Sequence, residues 1–191
     1  MEKQDRRVIR SKMRMREALI ALVQEKPFPE ITARDITDRA DLNRATFYLH
    51  YNNVFDLLEE LEEETVSDFA RMLEETPFRE NSTWEPLLTG RICDYIAENQ
   101  DLCRCLFLNP NSDRFAEKLT EIMKQKGQKI RKERGLGEEP RQMDYVRHFI
   151  SCGAMGMVKQ WLAEGMPLSK AEMMDLTEKI MHPIFQILLT A

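Results

Sequence analysis

The sequence predicts an all-α protein, in which an N-terminal three-helix unit with a helix-turn-helix precedes a larger helical unit. Apolar residues recur every three or four positions through most of the 191 residues, as they do on the buried face of a helix. The 7 Gly and 8 Pro are expected to interrupt these periodic stretches rather than lie inside them, and the hydrophobic content of 42% suits a globular core. We place the two units at residues 1–52 and 53–191.

The first predicted helix spans about Arg7 to Glu25 and ends before Pro27. Met15 and Leu19 share one apolar face of this helix at helical spacing. We expect that face to brace the two helices that follow.

Residues 31–51 have the pattern of a helix-turn-helix. Thr32 and Asp35 stand at the N-cap and N3 positions of a capping box, and Ile31 and Ile36 form a hydrophobic staple around it. This helix is expected to end near Ala40.

The turn of the motif departs from the usual pattern at Asp41, where many such turns carry Gly. Asp can adopt the left-handed conformation at modest cost, because its short side chain makes local hydrogen bonds. Asn43 is then a good N-cap for a second helix, which we expect to extend to Tyr51.

The second helix of the motif has two different faces. Phe47 and Tyr51 are predicted to pack on Ile36, Ala40 and Leu42. The opposite face is predicted to enter a DNA major groove, where the N-terminal residues of a recognition helix reach the base edges. The candidate DNA-binding residues on this helix are Arg44, Ala45, Thr46, Tyr48, Leu49 and His50.

These side chains suit different parts of a duplex. Arg44 can pair with a guanine edge or a phosphate, Ala45 or Leu49 can contact a thymine methyl, and a hydroxyl such as that of Tyr48 suits a phosphate oxygen. The alternative is that Tyr48 and His50 are half-buried members of a small core. Two caps, a staple and a polar outward face together favour DNA binding.

The N-terminus is strongly basic within an acidic protein. Residues 1–16 hold seven Lys or Arg and two acidic residues, although the chain carries a net charge of -5. Such an arm can follow the phosphate backbone or reach the minor groove, and a solvated, disordered charge run would have the same composition. Its place before the helix-turn-helix favours DNA contact. The candidate set therefore also includes Arg6 and Arg7 of the arm, and Thr32 and Arg34 at the start of the motif.

A stretch Thr-Phe-Tyr-x-His followed by Phe or Tyr is the hallmark of TetR/AcrR-type transcriptional regulators. It is matched here by Thr46, Phe47, Tyr48, His50 and Tyr51. Residues 9–61 resemble the DNA-binding domain of that family, and residues 153–168 are similar to the C-terminal region of a branch found in Gram-positive bacteria. The resemblance implies a bacterial DNA-binding regulator, more often a repressor, that functions as a homodimer.

Two positions depart from the resembled pattern. Family members often carry Arg or Lys at the position of Leu49, and Lys at the position of Val54, where the fourth helix begins. Both differences remove a phosphate contact that the resemblance would otherwise imply. They keep open a rival interpretation, a helical protein-interaction or co-activator module that retained the fold and lost DNA or effector binding.

The rest of the chain is predicted to be helical with short interruptions. A long helix begins near Asn53, and its acidic run, Glu59 to Glu64, is expected on a solvated outer face. Ser82 and Glu85 predict another capping box. Further helices are expected after that box, at about 102–108, from near 115 to 130, and over 141–164 and 169–189.

The last two helices are predicted to form the interface of a homodimer. One short recognition helix contacts few bases, whereas two that are related by a two-fold axis read half-sites about 34 Å apart. In the resembled family this interface is a four-helix arrangement, although a core within one chain would produce a similar pattern. The predicted interface residues are Gly153, Met157, Trp161, Ile180, Ile184, Phe185 and Leu188.

The middle helices are candidates for a pocket that binds a small apolar or amphipathic effector, because aromatic and Met side chains surround such ligands well. A packed core explains any single one of these residues better, since the same helical spacing produces both. The candidate pocket residues are Phe69, Met72, Trp84, Tyr95, Phe107, Met123, Tyr145, Phe149 and Cys152.

The four cysteines are sparse and lie in helical patterns, which favours reduced, buried thiols over disulfides. His148 and Cys152 are four residues apart and would suit zinc, with Cys93, Cys103 or Cys105 completing the site. Because the sequence has no second well-spaced pair, structural thiols are favoured, and no metal or cofactor is predicted.

Other functional classes are disfavoured by missing patterns. The sequence contains no P-loop, no glycine-rich dinucleotide turn and no His-Glu-x-x-His, so an enzyme is not expected. It also has no apolar run of membrane-spanning length and no signal peptide pattern. We therefore expect a cytoplasmic protein without a membrane partner.

Overall fold

The computed structural model describes residues 2–76, 84–109, 112–133, 135 and 141–190, with the backbone alone at 2–5, 84–87, 130–131, 182 and 184–190. These ranges form nine α-helices and one 3-10 turn, Phe28–Glu30, and they contain no strand. The all-α prediction is confirmed. The helices are α1 (Glu2–Leu22), α2 (Ala33–Ala40), α3 (Arg44–Tyr48), α4 (Val54–Glu75), α5 (Trp84–Glu98), α6 (Gln100–Phe107), α7 (Ser112–Glu133), α8 (Gln142–Ala163) and α9 (Lys170–Thr190).

The basic N-terminal segment is part of a helix. α1 begins at Glu2, five residues before the predicted start, because nothing in residues 2–8 breaks a helix. It ends at Leu22, where the backbone tightens: the N–H of Glu25 donates to the carbonyl of Leu22 at 3.0 Å. The segment therefore extends from the protein as a continuous helix rather than as a disordered arm.

One apolar core runs from α1 to α9. Its fully buried side chains include Met15 in α1, Phe47 in α3, Leu61 in α4 and Phe115 in α7. α4 packs against α5, α6 and α7, so it connects the helix-turn-helix to the helices that follow it. The division at residue 52 stays a prediction.

The acidic run on α4 is only partly a solvated outer face, which corrects the sequence-based expectation: Glu63 and Glu64 are exposed, whereas Glu62 is almost fully buried. Four of its carboxylates pair with basic residues on two other helices. The pairs with α1 are Lys12–Glu60 and Arg16–Glu64, and those with α7 are Arg114–Glu59 and Lys118–Glu62. The Lys118–Glu62 pair measures 2.9 Å. Because a buried carboxylate is costly without a partner, the α7 lysine is what makes this position of Glu62 tolerable.

Two prolines lie inside helices, contrary to the expectation that they would interrupt them. Pro86 is the third residue of α5, within the first turn, where its missing N–H group costs no hydrogen bond. Pro183 lies in the interior of α9. The predicted capping box at Ser82 lies outside the described residues.

The turn between α8 and α9 is closed by contacts within the chain. Gly165 and Met166 both have positive φ, 79° and 59°. The indole N–H of Trp161 donates to the carbonyl of Leu168 at 2.9 Å, and the ring is buried. Trp161 was predicted to lie in the dimer core, and its packing within one chain corrects that prediction.

Among the described residues, no helix has both the length and the apolar character that crossing a lipid bilayer requires.

Candidate DNA-binding site and dimer face

α2 begins with the predicted capping box. The Thr32 hydroxyl accepts from the Asp35 N–H at 3.2 Å, and the Thr32 N–H donates to the Asp35 carboxylate at 2.8 Å. Lys26 lies 2.8 Å from the same carboxylate. The Lys26 ammonium and the Thr32 donors hold the pKa of Asp35 well below its ordinary value. The entry to the motif is thus fixed by a short, fully local set of contacts.

The turn between α2 and α3 uses the left-handed conformation that the sequence predicts at Asp41, with φ 49° and ψ 53°. The N–H of Leu42 then donates to the carbonyl of Thr37 at 3.0 Å, which closes the end of α2. Arg14 of α1 lies 3.2 Å from the Asp41 carboxylate. A charge pair from α1 therefore supports a turn that glycine would form with less strain.

α3 is shorter than predicted. Asn43 caps it, accepting from the Ala45 N–H at 2.8 Å, but the α-helix ends at Tyr48 rather than at Tyr51. The Tyr51 N–H donates to the Phe47 carbonyl at 2.9 Å, and both rings are buried, which turns the chain toward α4. Asn53 then caps α4 directly. The burial of Tyr51 thus leaves room for only one and a half helical turns.

The exposed face of α3 carries a paired cation and hydroxyl. The Arg44 guanidinium donates to the Tyr48 Oη at 3.1 Å and lies 5.5 Å from the centroid of the Tyr48 ring. Tyr48 is 50% exposed, and its ring edge packs on the buried Phe47 ring beneath it, with centroids 5.5 Å apart. Core packing therefore holds this polar pair at the surface.

The remaining candidates divide between exposed and half-buried positions. Leu49, in the turn after α3, is 78% exposed. His50 is half-buried, as its alternative interpretation expects, and its ring lies beside Tyr51. Thr46 is also half-buried. The exposed members of the candidate set are Arg6, Arg7, Thr32, Arg34, Arg44, Ala45, Tyr48 and Leu49.

The basic residues of α1 have two different environments. Arg6 and Arg7 are exposed near its start. Lys12, Arg14 and Arg16 pair with carboxylates of the protein: Lys12 with Glu60 at 2.7 Å, for example. Sequence alone grouped all seven as one arm, whereas the structure leaves only the first part of it facing solvent.

Val54 is buried at the first turn of α4. An apolar residue at this position therefore contributes to the core beneath the helix-turn-helix. This accounts for the absence of the Lys found in many resembled sequences. Beside it, Phe55 is 53% exposed and packs edge-on against Phe28, with ring centroids 5.1 Å apart.

The comparison with protein families decides what this arrangement is. Residues 82–183, just over half of the chain, match the TetR_C_8 family, described as a transcriptional regulator C-terminal region. The chain belongs to the TetR family of transcriptional regulators. The family resemblance inferred from the motif is confirmed, and the relatives are regulators rather than enzymes.

Individual relatives agree with this assignment. Over 60 residues, 30% of its length, this TetR-family chain is 43% identical to the uncharacterized HTH-type transcriptional regulator YxbF of Bacillus subtilis (strain 168), of which it spans 16%. A TetR-family regulator from Syntrophomonas wolfei is 16% identical over 94% of this chain and 95% of that one, with a TM-score of 0.76. FadR of Thermus thermophilus, a TetR-family repressor solved with lauroyl-CoA, is 19% identical over 93% of each chain, with a TM-score of 0.60. These two structures share the fold.

The candidate pocket residues do not form one group. Phe69, Met72 and Phe107 are buried, and the Phe69 and Tyr95 rings pack with centroids 5.3 Å apart. Met123 is half-buried against the same core. Trp84 lies outside the described side chains. These contacts fit the packed-core alternative.

Tyr145 and Phe149 lie elsewhere and are corrected as pocket residues. They are 73% and 67% exposed on α8, on a surface that faces away from the core. Cys152 is exposed on the same helix. The three residues have the spacing of one helix face, i, i+4 and i+7, and this spacing is the same for a pocket-lining face and for an exposed one.

Gly153 and Gly156 continue this exposed surface. A Cβ atom added at either glycine would meet nothing within 4 Å. On α9, Ile180 is 43% exposed, and Met157 of α8 is half-buried. We call the exposed surface of Tyr145, Phe149, Cys152, Gly153 and Gly156 the α8 face. The predicted interface residues Ile184, Phe185 and Leu188 lie outside the described side chains.

Proposed function

We propose that this TetR-family regulator binds a palindromic DNA operator as a homodimer in the bacterial cytoplasm and represses transcription until a small apolar or amphipathic effector binds its C-terminal unit. The observation that carries the DNA-binding part is the Arg44–Tyr48 pair, held at the exposed surface of a capped α3. If Tyr48 served only to fill the core, its ring would not be half-exposed beneath the guanidinium of Arg44.

The proposed contacts assign different tasks to the exposed residues. Arg44 is positioned to leave the Tyr48 hydroxyl for DNA, because an ion pair with a phosphate or a bidentate pair with a guanine edge is stronger than a single bond to a neutral hydroxyl. Ala45 and Leu49 suit a thymine methyl. Arg6 and Arg7 supply positive charge for the phosphate backbone.

The homodimer is supported by the α8 face. Two large aromatic side chains, Tyr145 and Phe149, are mostly exposed next to glycines that leave open space above the backbone. Exposed aromatic side chains grouped on one helix face are typical of an interface. We propose that it packs on the same surface of a second copy around a two-fold axis, together with Ile180 of α9.

The effector is proposed to bind among Phe69, Met72, Tyr95 and Met123. Tyr95 is half-buried against the buried Phe69, and Met123 is half-buried against the same core, so a modest displacement of Met side chains would open space there. The fold is shared with FadR of Thermus thermophilus, which was solved with lauroyl-CoA. Thermal unfolding of the chain with and without lauroyl-CoA tests an acyl ligand directly, with Met123→Ala as the variant expected to change the shift.

The DNA-binding part is tested by selecting bound fragments from random DNA and then titrating the enriched site against salt. A two-fold symmetric site and an affinity that falls steeply with salt are expected. Arg44→Ala and Tyr48→Ala are each expected to weaken specific binding by roughly 10-fold or more, because each removes a contact worth about 1–3 kcal/mol.

Matched variants separate a lost contact from a general effect. Arg71→Ala removes an exposed arginine from α4, away from α3, and is expected to leave the affinity unchanged. Tyr48→Phe keeps the ring and removes only the hydroxyl. Equal affinity of wild type and the Arg44→Ala/Tyr48→Ala double variant would reject this face as the reading surface.

The alternative function is a protein-interaction or co-activator module. It is favoured by one observation: Leu49, 78% exposed, presents an apolar side chain where many family members have a cation. Recovery of no enriched DNA site, from a chain that still dimerises, would support this alternative.

A further inference from the structure

His148 and Cys152 form a close, exposed pair on α8. Their side chains are both accessible to solvent, and the Cys152 Sγ lies 3.6 Å from the His148 Nε2. The other cysteines are different. Cys93, Cys103 and Cys105 are buried, and burial raises the pKa of the Cys103 and Cys105 thiols to about 12. Only Cys152 has the accessibility of a reactive or ligating thiol.

The separation of the two side-chain atoms suits tetrahedral coordination. With bonds of about 2.3 Å to sulfur and about 2.0–2.1 Å to nitrogen, two ligands of one tetrahedral zinc ion are about 3.6 Å apart. A metal ion can therefore occupy the space beside both atoms without a change in the backbone of α8. The i, i+4 spacing keeps the two ligands on one side of the helix.

The pair is only half of a tetrahedral site. Within the described part of the chain, no group of three or more His, Cys, Asp and Glu side chains could hold a metal ion. Completion by Cys93, Cys103 or Cys105, which the sequence left open, is excluded because all three are buried in the core away from solvent. The described residues therefore leave two positions of a tetrahedral site to be filled, and we look for them on a second molecule.

A second copy would supply them. His148 and Cys152 alternate with Tyr145 and Phe149 along the α8 face, the surface proposed to pack on its own copy. Gly153 and Gly156 lie within one turn of Cys152, and the open space above them lets two α8 helices approach closely. A two-fold axis that passes near Cys152 doubles two ligands to four.

We propose that a divalent transition metal ion of the zinc class binds between the two protomers, held by His148 and Cys152 of one copy and the same two residues of the other. This inference rests on the proposed homodimer. On binding, each Cys152 thiol loses its proton to solvent and coordinates as the thiolate, while each His148 coordinates as the neutral imidazole. Because the ion binds only the paired state, it stabilises the dimer by mass action.

The test uses Co²⁺ as a spectroscopic probe on the full-length, reduced protein. Tetrahedral Co²⁺ with thiolate ligands gives sulfur-to-metal charge-transfer bands and intense visible bands, and the expected stoichiometry is one ion per two chains. Cys152→Ser and His148→Gln are each expected to lose these bands. Gln142→Ala, an exposed change at the start of α8, is the matched control that keeps them.

Sedimentation and DNA binding of the metal-free protein keep the two proposals apart. If the wild type dimerises and binds its operator but shows no thiolate–Co²⁺ bands, the metal site is rejected and the proposed function stands. If the chain remains a monomer both without metal and with added Zn²⁺, the dimer and the metal site are rejected together.

A dimer-breaking variant tests the sharing of the site. Phe149→Glu leaves both ligands in place, yet it is expected to lose the bands together with the dimer. Tight binding of one ion per chain by this monomeric variant would overturn the shared site. Zn²⁺ should also raise the thermal unfolding temperature of the wild type and not that of Cys152→Ser, and an equal rise in both would reject Cys152 as a ligand.

Discussion

The helix-turn-helix and α8 differ in how completely contacts within the chain cap the helices and bury their apolar side chains. In the former, Thr32 and Asn43 cap consecutive helices, and the apolar side chains between them are buried. α8 has Arg141 as its N-cap residue and no side-chain cap, and its most exposed large hydrophobic residues are the aromatic Tyr145 and Phe149. The capped helices complete their core within one chain, whereas the apolar surface left exposed on α8 is where we propose that a second copy packs.

The largest expected effect comes from removing a buried side chain from the core of the helix-turn-helix. Phe47 is fully buried, so Phe47→Ala should lower the free energy of unfolding by about 3–5 kcal/mol, through the cavity that it leaves. Denaturation by urea measures this. Leu49→Ala, two residues away and exposed, should change the free energy by less than about 0.5 kcal/mol. Similar values for the two variants would contradict the described packing.

The next largest expected effect is a loss of dimerisation when the α8 face is changed, without a comparable loss when α1 is changed. Phe149→Glu should weaken dimerisation by about 3 kcal/mol, roughly 100-fold, because two carboxylates would meet across the two-fold axis. The chain should remain helical by circular dichroism and sediment as a monomer. Met13→Glu places the same charge on an exposed apolar position of α1 and should leave the dimer intact. A dimeric Phe149→Glu protein would place the interface elsewhere.

Removal of the α3 cap should have a smaller effect. Asn43→Ala leaves the Ala45 N–H without its acceptor and should cost about 1 kcal/mol of stability. Asn43→Ser retains an acceptor oxygen and should be close to neutral. Urea denaturation distinguishes the two, and an equal loss for both would mean that the cap hydrogen bond does not contribute.

The turn at Asp41 predicts a gain in stability. Gly adopts φ 49° without the strain of a Cβ atom, so Asp41→Gly should stabilise the fold by about 0.5 kcal/mol after the exposed Arg14 pair is lost. Asp41→Ala loses the same pair and keeps the strain, so thermal unfolding should show it to be less stable than wild type. A destabilised glycine variant would show that the ion pair dominates.

The smallest effect is the pH dependence of the α2 capping box. Because the pKa of Asp35 is lowered in the folded chain, its ionised form stabilises the fold above about pH 4, and this contribution is lost as the pH falls below that value. The stability difference between wild type and Asp35→Asn should therefore be present at pH 7 and shrink in acid. Asp38→Asn, an exposed change on the same helix, controls for the loss of one charge. A difference that stays constant from pH 7 to acid would refute the capping contribution.

Capping and turn residues that are close together in the sequence predicted most of the helix-turn-helix. The cap hydrogen bonds at Thr32 and Asn43 and the hydrogen bond that closes the Asp41 turn join residues at most five apart, so their pattern is visible in the chain itself. The charge pairs Lys26–Asp35 and Arg14–Asp41 are not local in this sense. The length of α3 was not predicted: the sequence placed a buried Tyr51 inside a longer helix, whereas the helix ends at Tyr48 and the turn that follows buries Tyr51.

Long-range contacts were the part that sequence could not supply. Lys12 and Glu60 are 48 residues apart, and no periodicity in either helix relates them. Helical spacing likewise cannot tell an aromatic residue that faces the core from one that faces solvent, which is why Phe149 was grouped with Phe69. Only the packing of α8 on its neighbours separates the two.

The ion pairs that join α4 to both α1 and α7 constrain how the helix-turn-helix can move. Glu59 and Glu60 are consecutive in the chain, yet one is joined to Arg114 of α7 and the other to Lys12 of α1. Rotation of α4 about its own axis would pull carboxylates away from both neighbours at once, while a rigid tilt of the three helices keeps every pair. A rigid tilt of α1, α4 and α7 together, rather than a rotation of α4 about its axis, is therefore the low-cost motion. Effector binding in the C-terminal unit would reposition α3 by such a tilt.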